Sequence, residues 1–323
     1  LHREALELRR VGLPPGHNDI ATSLNSLANL LNAMGRYAEA EPLYREALEL
    51  QRVSLPPGHP DIATSLNNLA HLLNAMGRYA EAEPLYRETL ELRRVGLPPG
   101  HNDIAASLNN LANLLYATGR YAEAEPLYRE ALDLWCLALP QGHPTIALGL
   151  CNLAHLLNAT GRYAEAEPLY REALNLRRAA LPSGHPDIAL GLNNLAGLLN
   201  DTGRYAEAEP LYREALDLWR VALLPGHPNI STSLNNLAHL LNAMGRYAEA
   251  EPLYREALDI QRAALPLGNP TTAMGLNNLA NLLYATGRYA EAEPLYREAL
   301  DLRRAALPPG HPDISLSLSN LAN

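Results

Sequence analysis

Apolar residues fall at helical intervals in one stretch after another along this chain. After Pro60, residues Ile62, Leu66, Leu69, Ala70 and Leu73 are spaced by 4, 3, 1 and 3, one face of a 3.6-residue period. Pro60 suits a first turn, where its missing donor costs nothing, and Asp61 meets the positive end of the helix dipole. His59 is the expected cap. Gly77 ends the helix, because glycine reaches positive φ without strain. Tyr79 packs the corner. A second pattern follows in Ala82, Leu85, Tyr86, Thr89, Leu90 and Leu92, with Glu83 four residues before Arg87 in the favourable order for an ion pair. It breaks at Pro98-Pro99-Gly100. The pattern predicts a helix of about 15 residues, a turn, and a helix of about 18, roughly 22 and 27 Å long.

Gly-Arg-Tyr recurs at Gly35, Gly77, Gly119, Gly161, Gly203, Gly245 and Gly287, each 42 residues after the last. A fixed period of this size marks a stacked array, because neither helix buries its apolar face without a neighbouring repeat. The expectation is one array over residues 1–323, with seven GRY-centred units, 14 complete helices and a partial helix at each end. No strand is expected. Ala40, Ala82, Ala124, Ala166, Ala208, Ala250 and Ala292 are expected to be buried where the two helices of a unit approach closely.

Composition narrows the function. Apolar residues make up 47% of the chain, and all 26 basic residues are Arg. The net charge of −9 disfavours nonspecific binding of nucleic acid or an anionic membrane. No apolar run approaches the roughly 20 residues needed to span a bilayer. Cys136 and Cys151 each occur in a single repeat, so they form neither a disulfide framework nor a metal site on which the array depends. No phosphate loop, metal-ligand cluster or nucleophile with a base is present, so no catalytic residue, metal or cofactor is expected.

Leu66, Leu69, Ala70 and Leu73, then Gly77, Tyr79, Ala82, Tyr86 and Thr89 (Ala47 and Ala131 in other units), resemble the pattern of the tetratricopeptide repeat. Leu66 stands where that pattern usually has Trp. Eight extra residues lengthen the second helix and the PPGHP loop. The 42-residue form, with NNLA and AEAEPLYREAL, resembles the kinesin-light-chain-type subgroup common in bacterial multidomain proteins. The resemblance implies an all-α, right-handed superhelical solenoid of antiparallel helix–turn–helix repeats. It implies first helices lining a concave face, and protein or peptide binding instead of catalysis. Kinesin binding is not implied, because nothing here resembles the heptad region that serves it.

The same family pattern places four first-helix positions on the concave stripe: Thr64, Asn67, His71 and Asn74 in one unit, and Ala106, Asn109, Asn113 and Tyr116 in the next. Leu148, Cys151, His155 and Asn158 follow, then Leu190, Asn193, Gly197 and Asn200. Asn25, Asn67, Asn109, Asn193, Asn235 and Asn277 form a ladder broken only by Cys151. An amide offers both a donor and an acceptor, so the ladder suits an extended peptide backbone. It equally suits hydrogen bonding from repeat to repeat. With His71, Asn113, His155 and His239 it makes the candidate peptide-binding set. The stripe carries no Lys or Arg, which argues against a carboxylate clamp for acidic tails.

The loop histidines His17, His59, His101, His143, His185, His227 and His311 supply too few ligands per repeat for a metal and are expected to cap helices. Asn158, Asn200 and Asn229 begin chance sequons. Trp135 and Trp219 replace the Arg or Gln of other units, as packing or as partner anchors. Leu1 falls inside a second helix and Asn323 inside a first. Leu6, Leu8, Val11, Leu318 and Leu321 are assigned to positions buried in interior units. The expectations are a longer parent array, or copies meeting end to end in a filament. The compartment is not written in the chain: the cytoplasm is the expectation, the cell exterior the alternative for a filament.

Overall fold

The computed structural model describes residues 2–264 and 269–322. Leu1 and Asn323 lie outside the described residues. The chain forms two compact units, Leu1–Arg162 and Tyr163–Asn323. The first contains α1 (His2–Gly12), α2 (Asn18–Ala33), α3 (Tyr37–Ser54), α4 (Pro60–Ala75), α5 (Tyr79–Gly96), α6 (Asn102–Ala117), α7 (Tyr121–Ala138) and α8 (Pro144–Ala159). The second contains α9 (Tyr163–Ala180), α10 (Pro186–Asp201), α11 (Tyr205–Ala222), α12 (Pro228–Ala243), α13 (Tyr247–Ala264), α14 (Pro270–Ala285), α15 (Tyr289–Ala306) and α16 (Pro312–Ala322). All the described elements are helices. Complete first helices have 16 residues and complete second helices 18, close to the lengths the periodicity predicts.

Each boundary has a chemical cause. The Nδ1 atom of His59 accepts the Asp61 N–H at 3.2 Å, and the other loop histidines cap their helices in the same way. Asn269 substitutes for His with its side-chain oxygen, at 2.9 Å from the Thr271 nitrogen. At the other end, Gly77 takes φ +73°, its N–H donates to Asn74 O at 3.0 Å, and the Arg78 N–H donates to Leu73 O at 2.9 Å. That pair of bonds is the Schellman motif, which satisfies the last carbonyls only when the terminal residue enters the left-handed region.

The two helices of a hairpin meet at a small side chain. All seven alanines of the GRYAEA segments are at most 1% exposed, and Leu66, Leu69 and Leu73 and their counterparts in these repeats are buried as well. Successive repeats join through a pair fourteen residues apart. Arg93 donates to Ser107 Oγ at 2.8 Å and to the Asp103 carbonyl at 3.0 Å, and Arg9 and Arg303 repeat the arrangement. Ser65 donates to Gln51 Oε1 at 2.5 Å.

Two ladders of ion pairs run from repeat to repeat. Arg78 bonds Glu41 of the preceding repeat at 2.6 Å and Glu81 at 2.7 Å, while Arg45 adds a 2.8 Å bond to Glu41. Near the ends of the second helices, Arg10–Glu46, Arg52–Glu88, Arg94–Glu130 and Arg178–Glu214 pair at 2.6–2.8 Å. The pairs of this second ladder are exposed and contribute little individually, at most about 1 kcal/mol each, whereas Glu41 and its counterparts are part-buried.

The expectation is corrected for two terminal residues. Leu8 is 69% exposed and its counterparts Leu50 and Leu92 are only half-buried, because they lie at the edge of the apolar face. Val11 does not hold a position buried in interior repeats: it is 88% exposed, and its counterparts Val53 and Val95 are 85% and 86% exposed. They sit beyond the apolar face, on the solvent side of the helix's last turn. Leu6 is buried, and Leu318 is 43% exposed where its counterpart Leu276 is fully buried.

Two outcomes follow from this packing. Ala124→Leu overpacks the contact of α6 with α7 and should cost about 1–3 kcal/mol in equilibrium unfolding; a neutral result would contradict the close approach. Acid should destabilise the fold through the first ladder. Burial alone would raise the Glu41 carboxyl, but bonds from Arg45 and Arg78 outweigh it and hold the group below its ordinary 4.5, as happens at Glu83, Glu125, Glu167 and Glu209. A lowered folded pKa contributes stability that is full above the unfolded value and lost as pH falls through the folded one. Denaturation midpoints should hold down to about pH 4.5 and drop below it. A midpoint that rises on acidification would show the opposite sign.

Candidate interaction surface

Because the stripe is built from residues about one helical turn apart, it lies along one edge of each first helix. In α4, Thr64 and His71 are exposed while Asn67 and Asn74 are half-buried. In α6, Asn113 is exposed, Tyr116 half-buried and Asn109 buried. In α8, Leu148 is exposed, His155 half-buried and Cys151 buried. Within the second unit, Leu190, Thr232, His239, Met274 and Asn281 are exposed, Asn193 is half-buried, and Asn235 and Asn277 are buried.

The ten candidate residues thus fall into two rows. The ladder lies low between neighbouring first helices. Asn110 donates to Asn67 Oδ1 at 3.0 Å, Asn152 to Asn109 Oδ1 at 2.8 Å and Asn320 to Asn277 Oδ1 at 2.8 Å. Asn25 donates to Ser65 Oγ at 2.7 Å, and Asn235 donates to the Ser231 carbonyl within its own helix at 3.0 Å. Such bonds satisfy amide groups that burial would otherwise penalise, while the buried Oδ1 atoms of Asn25, Asn193 and Asn235 keep an open acceptor valence. The second row, His71, Asn113, His155 and His239, lies nearer the solvent.

Pattern reading missed the role of the second-helix tyrosines, counting Tyr86 as packing alone. Their rings are buried, yet Tyr44, Tyr128 and Tyr296 donate to Asn29, Asn113 and Asn281 at 2.5–2.7 Å. Burial pushes the Tyr44 phenol up to about 12 and raises Tyr128 further, so both hydroxyls keep the proton that they donate. The only signal in the sequence was that Tyr recurs at all seven positions, and in a chain with no Phe that signal is weak. At the end of the stripe, Tyr116 and Tyr121 approach to 5.3 Å between ring centres, and Tyr284 and Tyr289 to 5.0 Å.

The tryptophans are not exposed anchors. Trp135 and Trp219 are 3% and 5% exposed, in the place of the arginines and glutamines that join repeats. A Cβ built on Gly149 would come within 2.9 Å of the Trp135 ring, so glycine there leaves room for the indole.

Among the described residues no group of His, Cys, Asp or Glu could hold a metal, and no helix is long and apolar enough to cross a membrane. The described helices alternate between first and second helices from repeat to repeat. The tetratricopeptide repeat matches residues 1–53, 19–95, 61–136, 103–179, 145–196, 187–263 and 272–313, and the chain belongs to this family. Members are generally non-enzymatic scaffolds that bind proteins or peptides. No curated protein sequence matches the chain.

Solved structures do match. A kinesin-light-chain-like protein of Podospora anserina with nearly identical TPR-like repeats shares 26% identity over 63% of this chain and 96% of its own, at a TM-score of 0.56. BtubC from P. vanneervenii shares 24% over 73% and 92%, at 0.58. A tetratricopeptide repeat protein of Parabacteroides merdae shares 18% over 94% and 99%, at 0.62. The last two show the fold alone.

The packing at Gly149 generates a test. Although Ala forms helix better than Gly, Gly149→Ala should destabilise by about 1–3 kcal/mol through overpacking. Pairing Trp135→Gln with Gly149→Ser recreates the Gln51–Ser65 arrangement. The double variant should lose less than the two single losses summed. Strict additivity in urea unfolding would show that the positions do not interact.

Proposed function

We propose that this protein is a non-enzymatic interaction scaffold that takes an uncharged, extended segment of a partner protein along its first-helix stripe, the face that arrays of this family turn inward. The observation that carries the reading is the composition of the stripe. Its exposed positions vary among Thr, Leu, Met, His, Asn and Tyr while the GRYAEAEPLYRE segment beneath is the same in every repeat. No Asp, Glu, Lys or Arg occupies those positions, so specificity falls to amides, imidazoles and apolar contacts. His71, Asn113, His155 and His239 are the nearer contacts. The ladder residues Asn25, Asn67, Asn109, Asn193, Asn235 and Asn277 offer whatever amide valence the repeat-to-repeat bonds leave.

The near-identity of the repeats also suits end-to-end assembly of copies, because one interface recurs every 42 residues. Sedimentation of the full chain over a wide concentration range distinguishes that reading from a monomeric scaffold.

For a partner captured and identified with the full chain, His71→Ala, Asn113→Ala and His155→Ala together, all in the first unit, should weaken binding there at least tenfold in calorimetry, with the melting curve unchanged. Asn109→Ala, Asn193→Ala and Asn235→Ala together should weaken it less and lower the melting temperature. Unchanged affinity in the first variant would remove the stripe from the binding surface.

A further inference from the structure

The first unit carries a second surface, on the solvent side of its second helices. Val11, Val53, Val95 and Leu137 end α1, α3, α5 and α7 at the same position of four successive repeats. They are 88%, 85%, 86% and 83% exposed. The fold does not require their size. In the second unit the same position holds Ala179, Val221, Ala263 and Ala305, and the alanines too are exposed. Large aliphatic side chains are therefore kept in water in consecutive repeats of one unit, at a place where Ala suffices elsewhere.

One helical turn earlier on the same face stand Glu7, Glu49, Glu91 and Asp133. The side chains of Glu7, Glu49 and Glu91 are 69%, 73% and 71% exposed. The nearby arginines do not neutralise them closely. Arg10, Arg52 and Arg94 make their short bonds, 2.7–2.8 Å, to Glu46, Glu88 and Glu130 of the next repeat. They reach Glu7, Glu49 and Glu91 only at 3.5–3.9 Å. Those same short bonds show that neighbouring second helices lie side by side. Each repeat of the first unit thus presents an aliphatic side chain beside a weakly paired carboxylate.

We infer that this row is a docking surface for a basic amphipathic segment of a partner protein, distinct from the first-helix stripe. Its apolar residues cover Val11, Val53, Val95 and Leu137, and its Lys or Arg residues meet the acidic row. Charge complementarity selects this occupant. The chain's net charge of −9 draws a cationic segment and repels an anionic one. The aliphatic row adds apolar area that a merely solvated acidic face lacks. The second unit keeps Asp217, Asp259 and Asp301 but has only Val221 as a large side chain in the equivalent row, and serves as an internal control.

The test uses the full chain and two labelled synthetic peptides, followed by fluorescence anisotropy at physiological salt. One has Leu and Lys in amphipathic helical order; the other replaces every Leu by Ser at the same charge. The Leu-containing peptide should bind at least tenfold more tightly. Val53→Ser with Val95→Ser should remove most of that difference without altering charge. Glu49→Gln with Glu91→Gln should weaken both peptides and reduce the salt dependence. Ala263→Ser with Ala305→Ser in the second unit should change nothing. Equal binding of the two peptides, or a Val53→Ser, Val95→Ser variant that melts and binds like the parent, would overturn the inference.

Discussion

Every helix here depends on covering an apolar face wider than its hairpin partner. In α4 that face runs through Ile62, Leu66, Leu69 and Leu73, and α5 covers only part of it; the end of α3 and the adjoining first helices cover the rest. The 0% exposure of Ala82 records how tightly the hairpin closes, and the 0% exposure of Ser65 beside Gln51 records how tightly the next repeat closes on it. Since one hairpin cannot be dry alone, the strict 42-residue register is a packing requirement.

The polar groups follow from the same closeness. First helices that approach one another bring Asn67 and Asn110 into hydrogen-bond distance, and an amide buried there is satisfied by another amide. Second helices that lie side by side bring Arg52 to Glu88, an exposed pair whose main effect is alignment. Trp135 over Gly149 fills by volume the separate joint that Arg93 and Ser107 make by hydrogen bonding. Joints between repeats are therefore interchangeable in chemistry while the hairpins are not.

Freedom for function lies where packing makes no demand. Thr64, Leu148, Leu190 and Met274 occupy one exposed first-helix position and differ freely, while His71, Asn113 and His239 differ at another. At the far side of the repeat, Val53, Leu137 and Ala263 share an exposed position with no core to fill. Surface of both kinds can change without disturbing Ala82, Tyr86 or Gly77, which are buried or held by the turn.

Helix positions, the turns at Gly-Arg-Tyr, the histidine caps and the buried alanines were legible in the sequence, because each is set within about twenty residues by periodicity, φ preference or side-chain size. The surface was less legible. Periodicity could not separate Asn109, bonded to Asn152 of the next repeat, from Asn113, which faces solvent and holds the Tyr128 hydroxyl; both fit the same stripe. Nor could it place Val53 and Val95 in water, since apolar residues near a helix end read as core. Those distinctions depend on how repeats lean on one another, on which side chain of a neighbouring helix arrives, and at what depth. The sequence by itself determined which residues become helices and which small side chains lie between them, through local stereochemistry and the apolar period. Only the tertiary structure decided which polar groups join the stack and which apolar ones stay exposed, because burial at those positions is a property of two repeats together and of neither alone.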